Sequence, residues 1–415
     1  MARILLLTPQ LPYPPHQGTT HRNFNIIRSI SERHDLTLLS LWTGEESELD
    51  LGLKVLGQYC FKIEKVRQQP RSNLKRFSQL FSSSAPDMAN RLRSAKFKER
   101  LIEILRTEQN QSGRPFDVIQ IEGIEMANNL PTIREFGPES KIVFDNHNAE
   151  ASLQRRAYET DKSQPRRWPL AAYSYVQTNR LQDYEKWVCE SVDHVVAVSD
   201  QDLAKIKKLA PGIQATVIPN SIDVEEYKDL EAGTTAKFDL VFIGKMNYRP
   251  NVDAVLWFAD RVWPIVQVER PQTTWGIVGQ EPHARLDKLN ALEGITITGK
   301  VDSVHPYLAG ASIVVLPFRI GSGTRLKFIE AMAAGKATVS TTLGAEGFEI
   351  ESWREALIAD EPGQFARDIF KLLDDPEARN QLGGNAQEFA EKYDYLLVNK
   401  QFDAIYEDLV SPKQL

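Results

Sequence analysis

The sequence predicts an α/β protein built from two doubly wound parallel-sheet halves, and three observations carry that expectation. Short apolar runs alternate with segments of helical spacing from one end of the chain to the other, the pattern of βαβ units and parallel sheets. The alternation stops over residues 224–237, which lack a clear period, and restarts at Phe238. The length of 415 residues exceeds what one doubly wound sheet uses and suits two.

Composition narrows the function classes. Hydrophobic residues make up 42% of the chain and charged residues 26%, a globular profile rather than a disordered or membrane-spanning one. A net charge of −6 argues against a nucleic-acid partner. Cys60 and Cys189 have neither disulfide nor metal spacing and read as reduced core thiols. The opening run MARILLLTPQLP is too short for a secretory signal and fits a first strand. No segment has the length of a transmembrane helix. These features point to a cytoplasmic protein, with association at the inner face of the membrane left open.

In the first half, residues 3–8 read as a buried strand. The loop PQLPYPPHQG follows and ends at Gly18, then a helix over 19–34 on the spacing of Phe24, Ile27 and Ile30, then a strand over 36–42. That loop leaves the carboxyl end of its strand, where open α/β sheets bind ligands; the plainer alternative is a stiff connector. From Lys62 to Arg106 basic residues outnumber acidic ones, with Phe77, Leu80, Phe81 and Phe97 interleaved, and a second basic run, RRAYETDKSQPRRW, spans 155–168. The pattern suits a basic amphipathic surface that meets anionic lipid headgroups, or equally a solvated helical face over core aromatics. Residues 117–121 and 141–144 read as further strands. The second runs into Asp145-Asn146-His147-Asn148-Ala149-Glu150, a polar cluster placed either for chemistry or simply to cap a helix. Helical spacing over 173–192, a strand over 194–198, a helix capped by Ser199 and Asp200 and a strand over 215–218 lead to the turn Pro219-Asn220-Ser221-Ile222-Asp223.

The second half opens with a strand over 238–243, the turn Gly244-Lys245-Met246-Asn247-Tyr248-Arg249-Pro250-Asn251 and helical spacing over 253–262. Strands over 275–278 and 295–298 end at Gly279 and at Gly299-Lys300-Val301. The half is organised around 312–335, an apolar strand followed by RIGSGTRLKFIEAMAAG. Gly321 and Gly323 break the pattern, Thr324 stands where a helix cap belongs, and Leu326, Ile329 and Ala333 give the helix an apolar face. Such a corner presents unpaired N–H groups and the positive end of a helix dipole, which favour an anion. Lys327 and Glu330, three residues apart, share one face. An ammonium there holds a phosphate and a carboxylate one turn on accepts ribose hydroxyls, which makes a pocket for a nucleotide diphosphate. A glycine turn with a surface Lys–Glu pair is the bland alternative. Strands over 338–341 and 356–359, helices over 364–373 and 377–392, and a last helix over 396–410 complete the chain.

The run KFIEAMAAGKATVST resembles the donor-site signature of the family 4 glycosyltransferases, in which a helix carrying E-A-M-A-x-G precedes a strand and a small-residue loop. Glu330 matches the second of that family's two glutamates. Ser322, within GSGTRLK, stands at the first. The turn over 219–223 resembles the IPNGVD segment that closes the family's first domain, with Ser221 in place of glycine. The resemblance covers nearly the whole chain and is most specific over 299–347. It implies the GT-B arrangement, two doubly wound Rossmann-like domains facing across a cleft, with the C-terminal helix crossing back to the first. The domains then fall at 1–223 for the acceptor side, 224–237 for a linker, 238–394 for the nucleotide-sugar domain and 395–415 for the returning helix.

The same resemblance implies a retaining transfer of a sugar from a nucleotide-diphosphate donor to an acceptor hydroxyl, in cell-surface polysaccharide, lipopolysaccharide or glycolipid biosynthesis. The acceptor is then a saccharide or a lipid-linked one, and no cofactor beyond the donor is called for. His147 takes the role of the histidine that faces the transferred sugar. Asn148 and Glu150 order that loop or meet the acceptor, and Gly18 and Thr19 correspond to the glycine loop near the reaction centre. Gly244, Lys245 and Arg249 correspond to the cationic turn at the donor diphosphate, with Pro250 where the family's second cation falls. Gly299 and Val301 lie near the base. Gly321, Gly323, Thr324, Arg325 and Lys327 meet the diphosphate and Glu330 the ribose, so that His147, Lys327 and Glu330 are the residues implied for catalysis. No Asp-x-Asp ends a strand, so leaving-group charge falls to protein cations and no metal ligand is assigned. No paired carboxylates suggest a glycosidase. Two other classes stay open, a sugar-nucleotide epimerase of the same fold and a degenerate module that binds a nucleotide or lipid without turnover.

Overall fold

Among the described residues all strands pair in parallel, in two separate sheets. The structure is a computed structural model that describes every residue except 73–75, 77, 80–81, 163–167, 232–236, 322 and 412–415.

The first unit comprises Met1–Asn220 and Val398–Leu415. Its strands are β1 (Arg3–Thr8), β2 (Asp35–Trp42), β3 (Lys62–Arg67), β4 (Val118–Glu122), β5 (Lys141–Asn146), β6 (His194–Ala197) and β7 (Ala215–Val217), in the order β3-β2-β1-β4-β5-β6-β7. Side chains alternate across a strand, so β1 feeds two cores. Leu5 and Leu7 join Ile119, Phe144, Phe97 and Leu101 on one face. Ile4 and Leu6 join Leu38, Val143, Ile26, Ile27, Phe402 and Tyr406 on the other. The C-terminal helix Lys400–Val410 therefore packs on the first unit, on the face of helix Gly18–Ile30.

The second unit is Ser221–Leu397. Its strands are β8 (Phe238–Ile243), β9 (Trp275–Val278), β10 (Ile295–Gly299), β11 (Ala311–Leu316), β12 (Ala337–Ser340) and β13 (Leu357–Ile358), in the order β10-β9-β8-β11-β12-β13. In each sheet the chain runs outward from the middle and then restarts beside its first strand. The switch points fall at the β1/β4 and β8/β11 neighbours, where open α/β sheets hold ligands at strand carboxyl ends.

Several expectations change. Lys62–Arg67 is a strand rather than part of an amphipathic face; its charges sit on a sheet edge, where they discourage pairing with another chain. Phe97 is buried within helix Ala95–Ser112. Much of the basic set is matched by carboxylates: Arg100 by Glu64 at 2.6 Å and Glu103 at 2.5 Å, Arg71 by Asp87 at 2.8 Å, and Arg91 by Glu125. Lys75, Phe77, Leu80, Phe81, Arg166 and Arg167 lie outside the described residues, as do Gly233, Thr234, Thr235 and Ser322. Val224–Tyr227, expected within the linker, is a 3-10 turn whose Val224 and Tyr227 belong to the core of the second unit. Arg325, not Thr324, takes the cap position of helix Leu326–Ala333, and its side chain makes no capping hydrogen bond. Cys60 and Cys189 are free and buried. Among the described residues, no helix is long and apolar enough to cross a membrane.

Candidate active site

In the first unit the chemistry gathers where β4 and β5 end side by side, with Glu122 in register with Asp145. Helix Gly18–Ile30 supplies the counter-charges. Arg22 is buried and grips Asp145 with Nε at 2.7 Å and Nη2 at 2.9 Å, while its Nη1 donates to the Pro219 carbonyl at 3.0 Å. With its amide oriented as its neighbours require, nitrogen towards the acceptors, Asn23 donates to Glu122 Oε2 at 2.7 Å and to the Thr19 carbonyl at 3.2 Å. Gln120 donates to Glu122 Oε1 at 2.6 Å, and His147 Nε2 stands 2.9 Å from Glu122 Oε2. The ligand atoms of Glu122, Asp145 and His147 lie within 4.8 Å of one another. N–H donors already occupy all four carboxylate oxygens, so this donor set suits a hydrogen-bonded cluster rather than a cation.

Gly123 has φ +79, and a Cβ there would come within 3.4 Å of His147 Nδ1, so glycine leaves that face of the imidazole clear. Burial opposes the charged imidazolium, yet the Glu122 hydrogen bond and the charges of Asp145 and Glu122 outweigh it, and the His147 pKa is raised. Burial and the Asp145 charge hold Glu122 above the usual carboxylate range. The Glu122 carboxylate offsets positive charge on the ring, so a histidine backed in this way can hydrogen-bond a polar group of a substrate without adding net positive charge beside it. Glu185, also buried, accepts from Asn146 at 2.9 Å and from the backbone N–H groups of Glu150 and Ala151 at 3.0 and 3.1 Å; it caps the helix that starts at Glu150 and fixes the loop bearing His147. Asn148 donates to Glu150 at 3.0 Å. Burial, followed by the charges of Glu125 and Glu185, pushes the Glu150 carboxyl up to about 8. Gly18 opens its helix and is exposed.

In the second unit the turns after β8 and β11 converge on Lys327. Its ammonium donates to Asn251 Oδ1 at 3.0 Å, and Asn251 Nδ2 donates to the Lys245 carbonyl at 2.8 Å. The Phe242 and Phe318 rings lie 5.5 and 5.3 Å from it, an arrangement that favours a cation. A Cβ at Gly244 would fall 2.7 Å from Lys327 Nζ, so glycine lets the ammonium lie close against this turn. Gly279 has φ +148 and a Cβ would sit 1.8 Å from the Gly244 carbonyl oxygen, which holds the first turn against β9. Burial, partly offset by Glu330 and reinforced by Arg325, pushes the Lys327 ammonium down to about 8. Arg325 folds back, donating to the Gly323 carbonyl at 2.8 Å and lying 5.3 Å from the Phe318 ring. A Cβ at Gly321 would fall 2.7 Å from its guanidinium, and the Thr324 methyl packs on Gly347. Lys245 pairs with Glu281 at 3.4 Å and is exposed, as is Arg249 at the first position of its helix. Gly299, with φ +69, ends β10 in open space, and Val301 packs on the core.

Glu330 is not alone on its face. Tyr227 is buried beside it, and burial together with its hydrogen bond and proximity to Glu330 holds the phenol well above its ordinary value. The two line a small recess with Val304, Leu308 and Lys327.

Comparison with known proteins settles the family. Residues 17–226 match Glycosyltransferase Family 4, and residues 237–375 match Glycosyl transferases group 1. The chain is a family 4 glycosyltransferase. A Klebsiella pneumoniae protein, described as an uncharacterized 44.6 kDa protein in cps region, is 22% identical over 98% of this glycosyltransferase and 100% of its own length. Among solved structures, Anabaena HepE in complex with UDP matches with a TM-score of 0.64 at 14% identity, over 98% of this chain and 100% of that one. Sucrose-phosphate synthase from Thermosynechococcus elongatus matches with a TM-score of 0.70 at 16% identity, over 99% of both chains. The two doubly wound units of this glycosyltransferase are thus those of the GT-B fold, and it acts on a nucleotide-sugar donor.

Sequence reasoning missed Arg22, Asn23, Gln120, Glu122, Glu185, Tyr227 and Asn251. A signal existed for some. Gln120 and Glu122 interrupt an otherwise apolar buried strand, and Arg22 sits on the core-facing side of an amphipathic helix. Asn251 and Tyr227 offer no such signal, since their roles depend on contacts 76 residues away and more.

Proposed function

We propose that this glycosyltransferase moves a hexose from a UDP-sugar to a saccharide acceptor, with retention, in the synthesis of a cell-surface polysaccharide. The observation that carries the reading is the close approach of the glycine turn after β8, through Gly244 and Asn251, to the half-buried ammonium of Lys327, with Phe318 from the segment after the neighbouring strand β11 beside it. A diphosphate seated there gains charge as the sugar leaves, and Lys327 with the start of helix Leu326–Ala333 stabilises that charge, a role worth a few kcal/mol per donor, about 3–4 in measured cases. Lys245 adds a second cation, and Glu330, steadied by Tyr227, accepts the ribose hydroxyls. His147, backed by Glu122, contacts the sugar and shields the positive character at its anomeric carbon. UDP as the nucleotude part is supported by the UDP complex of HepE, and surface polysaccharide by the cps-region relative.

The reading extends to the inner face of a membrane. Trp168, Leu170, Tyr175 and Val176 are exposed on helix Trp168–Glu190, which packs against helix Glu150–Lys162 with its Arg155 and Lys162. Aromatic and cationic side chains together suit an anionic headgroup layer.

The test is transfer itself. Purified protein is incubated with UDP- and GDP-hexoses and a panel of free and lipid-linked saccharides, and nucleotide release and product configuration are measured. Retained configuration from one UDP-sugar, lost in Lys327→Ala and His147→Ala, is the expected result. Epimerised sugar nucleotide without acceptor transfer overturns the reading in favour of the epimerase class.

A further inference from the structure

Buried side chains join the C-terminal helix to His147. Tyr406 donates its hydroxyl hydrogen to Gln120 Oε1. Gln120 Nε2 donates to Glu122 Oε1 at 2.6 Å, and Glu122 Oε2 faces His147 Nε2 at 2.9 Å. Tyr406, Gln120 and Glu122 are each 0% exposed, so water does not compete for these bonds, and each polarises the next.

The Gln120 amide turns its nitrogen to Glu122 and its oxygen to Tyr406, the orientation in which a carboxylate accepts and a phenol donates. Burial and the charges of Glu122, Asp145 and Asp403 hold the Tyr406 phenol well above its ordinary value, so it stays a donor. Glu122 Oε2 takes the Nε2 hydrogen of His147, and Nδ1 is left without a hydrogen-bond partner among the described residues. The helix that carries Tyr406 is tied down in turn. Asp403 accepts from His34 Nε2 at 3.1 Å, and His34 Nδ1 accepts from the Ala2 N–H at 3.2 Å.

We propose that Tyr406 and Gln120 are positioning residues for sugar transfer, locking the Glu122 carboxylate and, through it, the ring plane and the proton-bearing nitrogen of His147. This rests on the assignment of His147 to the reacting sugar. The other charged groups around the imidazole are Asp145 with its partner Arg22 from helix Gly18–Ile30, and Glu125 across Gly123; none is altered in the variants below.

Tyr406→Phe removes one oxygen and keeps the ring. Gln120→Met cuts the same chain of bonds one link nearer. Both are read by steady-state kinetics and by NMR titration of the His147 imidazole, with thermal unfolding as a check on folding. Each is expected to lower kcat about fivefold, the effect of one hydrogen bond, while the KM for donor stays within about twofold. Each also moves the His147 midpoint downward: Gln120→Met removes the N–H donor of Glu122 outright, Tyr406→Phe releases the Gln120 amide that presents it, and in both Glu122 holds the shared proton more tightly. Val398→Ala, buried in the same C-terminal segment but outside the chain of bonds, is expected to leave the midpoint in place even where it lowers the unfolding temperature. An unmoved midpoint in both Tyr406→Phe and Gln120→Met overturns the proposal while leaving the role of His147 standing. Full transfer by His147→Ala removes that role, and the catalytic meaning of the chain of bonds with it.

Discussion

Asn251 holds Lys327 at 3.0 Å with one end of its amide and the Lys245 carbonyl at 2.8 Å with the other. One side chain therefore sets the spacing between two turns that leave different strands. Asn251→Ala keeps both cations but frees them from one another. It is expected to weaken nucleoside diphosphate binding about tenfold, or ~1.4 kcal/mol, by calorimetric titration, with a smaller effect from Asn251→Asp, which still accepts from Lys327.

The depressed Lys327 pKa gives binding a pH dependence. With the ammonium at about 8 in the free protein, a bound diphosphate raises it again, so binding takes up a proton above pH 8. Affinity for a nucleoside diphosphate is expected to be flat from pH 6.5 to 7.5 and then to fall by up to about tenfold per pH unit above 8. Titration calorimetry in buffers of different ionisation enthalpy reads the proton directly. In Lys327→Met the residual affinity has no such step.

Arg22 and Asp145 form a buried bidentate pair, 3% and 0% exposed. Removing one partner leaves the other charged in the interior. Arg22→Ala is expected to lower stability by about 3–5 kcal/mol in denaturant unfolding, and replacing both residues by apolar ones of similar volume to cost much less.

The helix Trp168–Glu190 carries the test of membrane contact. Trp168→Ser with Leu170→Ser, or charge reversal at Arg155 and Lys162, is expected to reduce sedimentation with anionic vesicles at least about threefold and to leave neutral vesicles unaffected. Equal sedimentation in all variants removes membrane contact from the account. Charge reversal at Arg91 or Arg100 is expected to matter less, because Glu125 and Glu64 already neutralise them.

Much of the fold was legible because both sheets are parallel and buried, so each strand announces itself as an apolar run between glycine and proline punctuation. Leu5 and Ile313 sit in strands read directly from that pattern. The edge strand Lys62–Arg67 escaped because an exposed edge has no apolar run to show, and its alternation of charge reads as an amphipathic surface. Local motif chemistry pointed to Lys327 and Glu330 as candidates, and the family resemblance to His147. What surrounds them was not legible: Asn251 reaches Lys327 across 76 residues, and Tyr406 reaches Gln120 across 286. Thr324 was misplaced as a cap because Thr is a good cap by type, whereas its methyl is used against Gly347 and Arg325 begins the helix.

The central claim, a nucleoside diphosphate held at Lys327, is tested most directly by thermal unfolding with UDP, GDP, ADP, TDP and CMP in turn. A ligand at about a hundred times its dissociation constant stabilises the native state by about 2.7 kcal/mol, which moves the midpoint visibly. The account predicts a shift with UDP that is lost in Lys327→Ala. No shift with any nucleotide, or a UDP shift of the same size in Lys327→Ala, would contradict it.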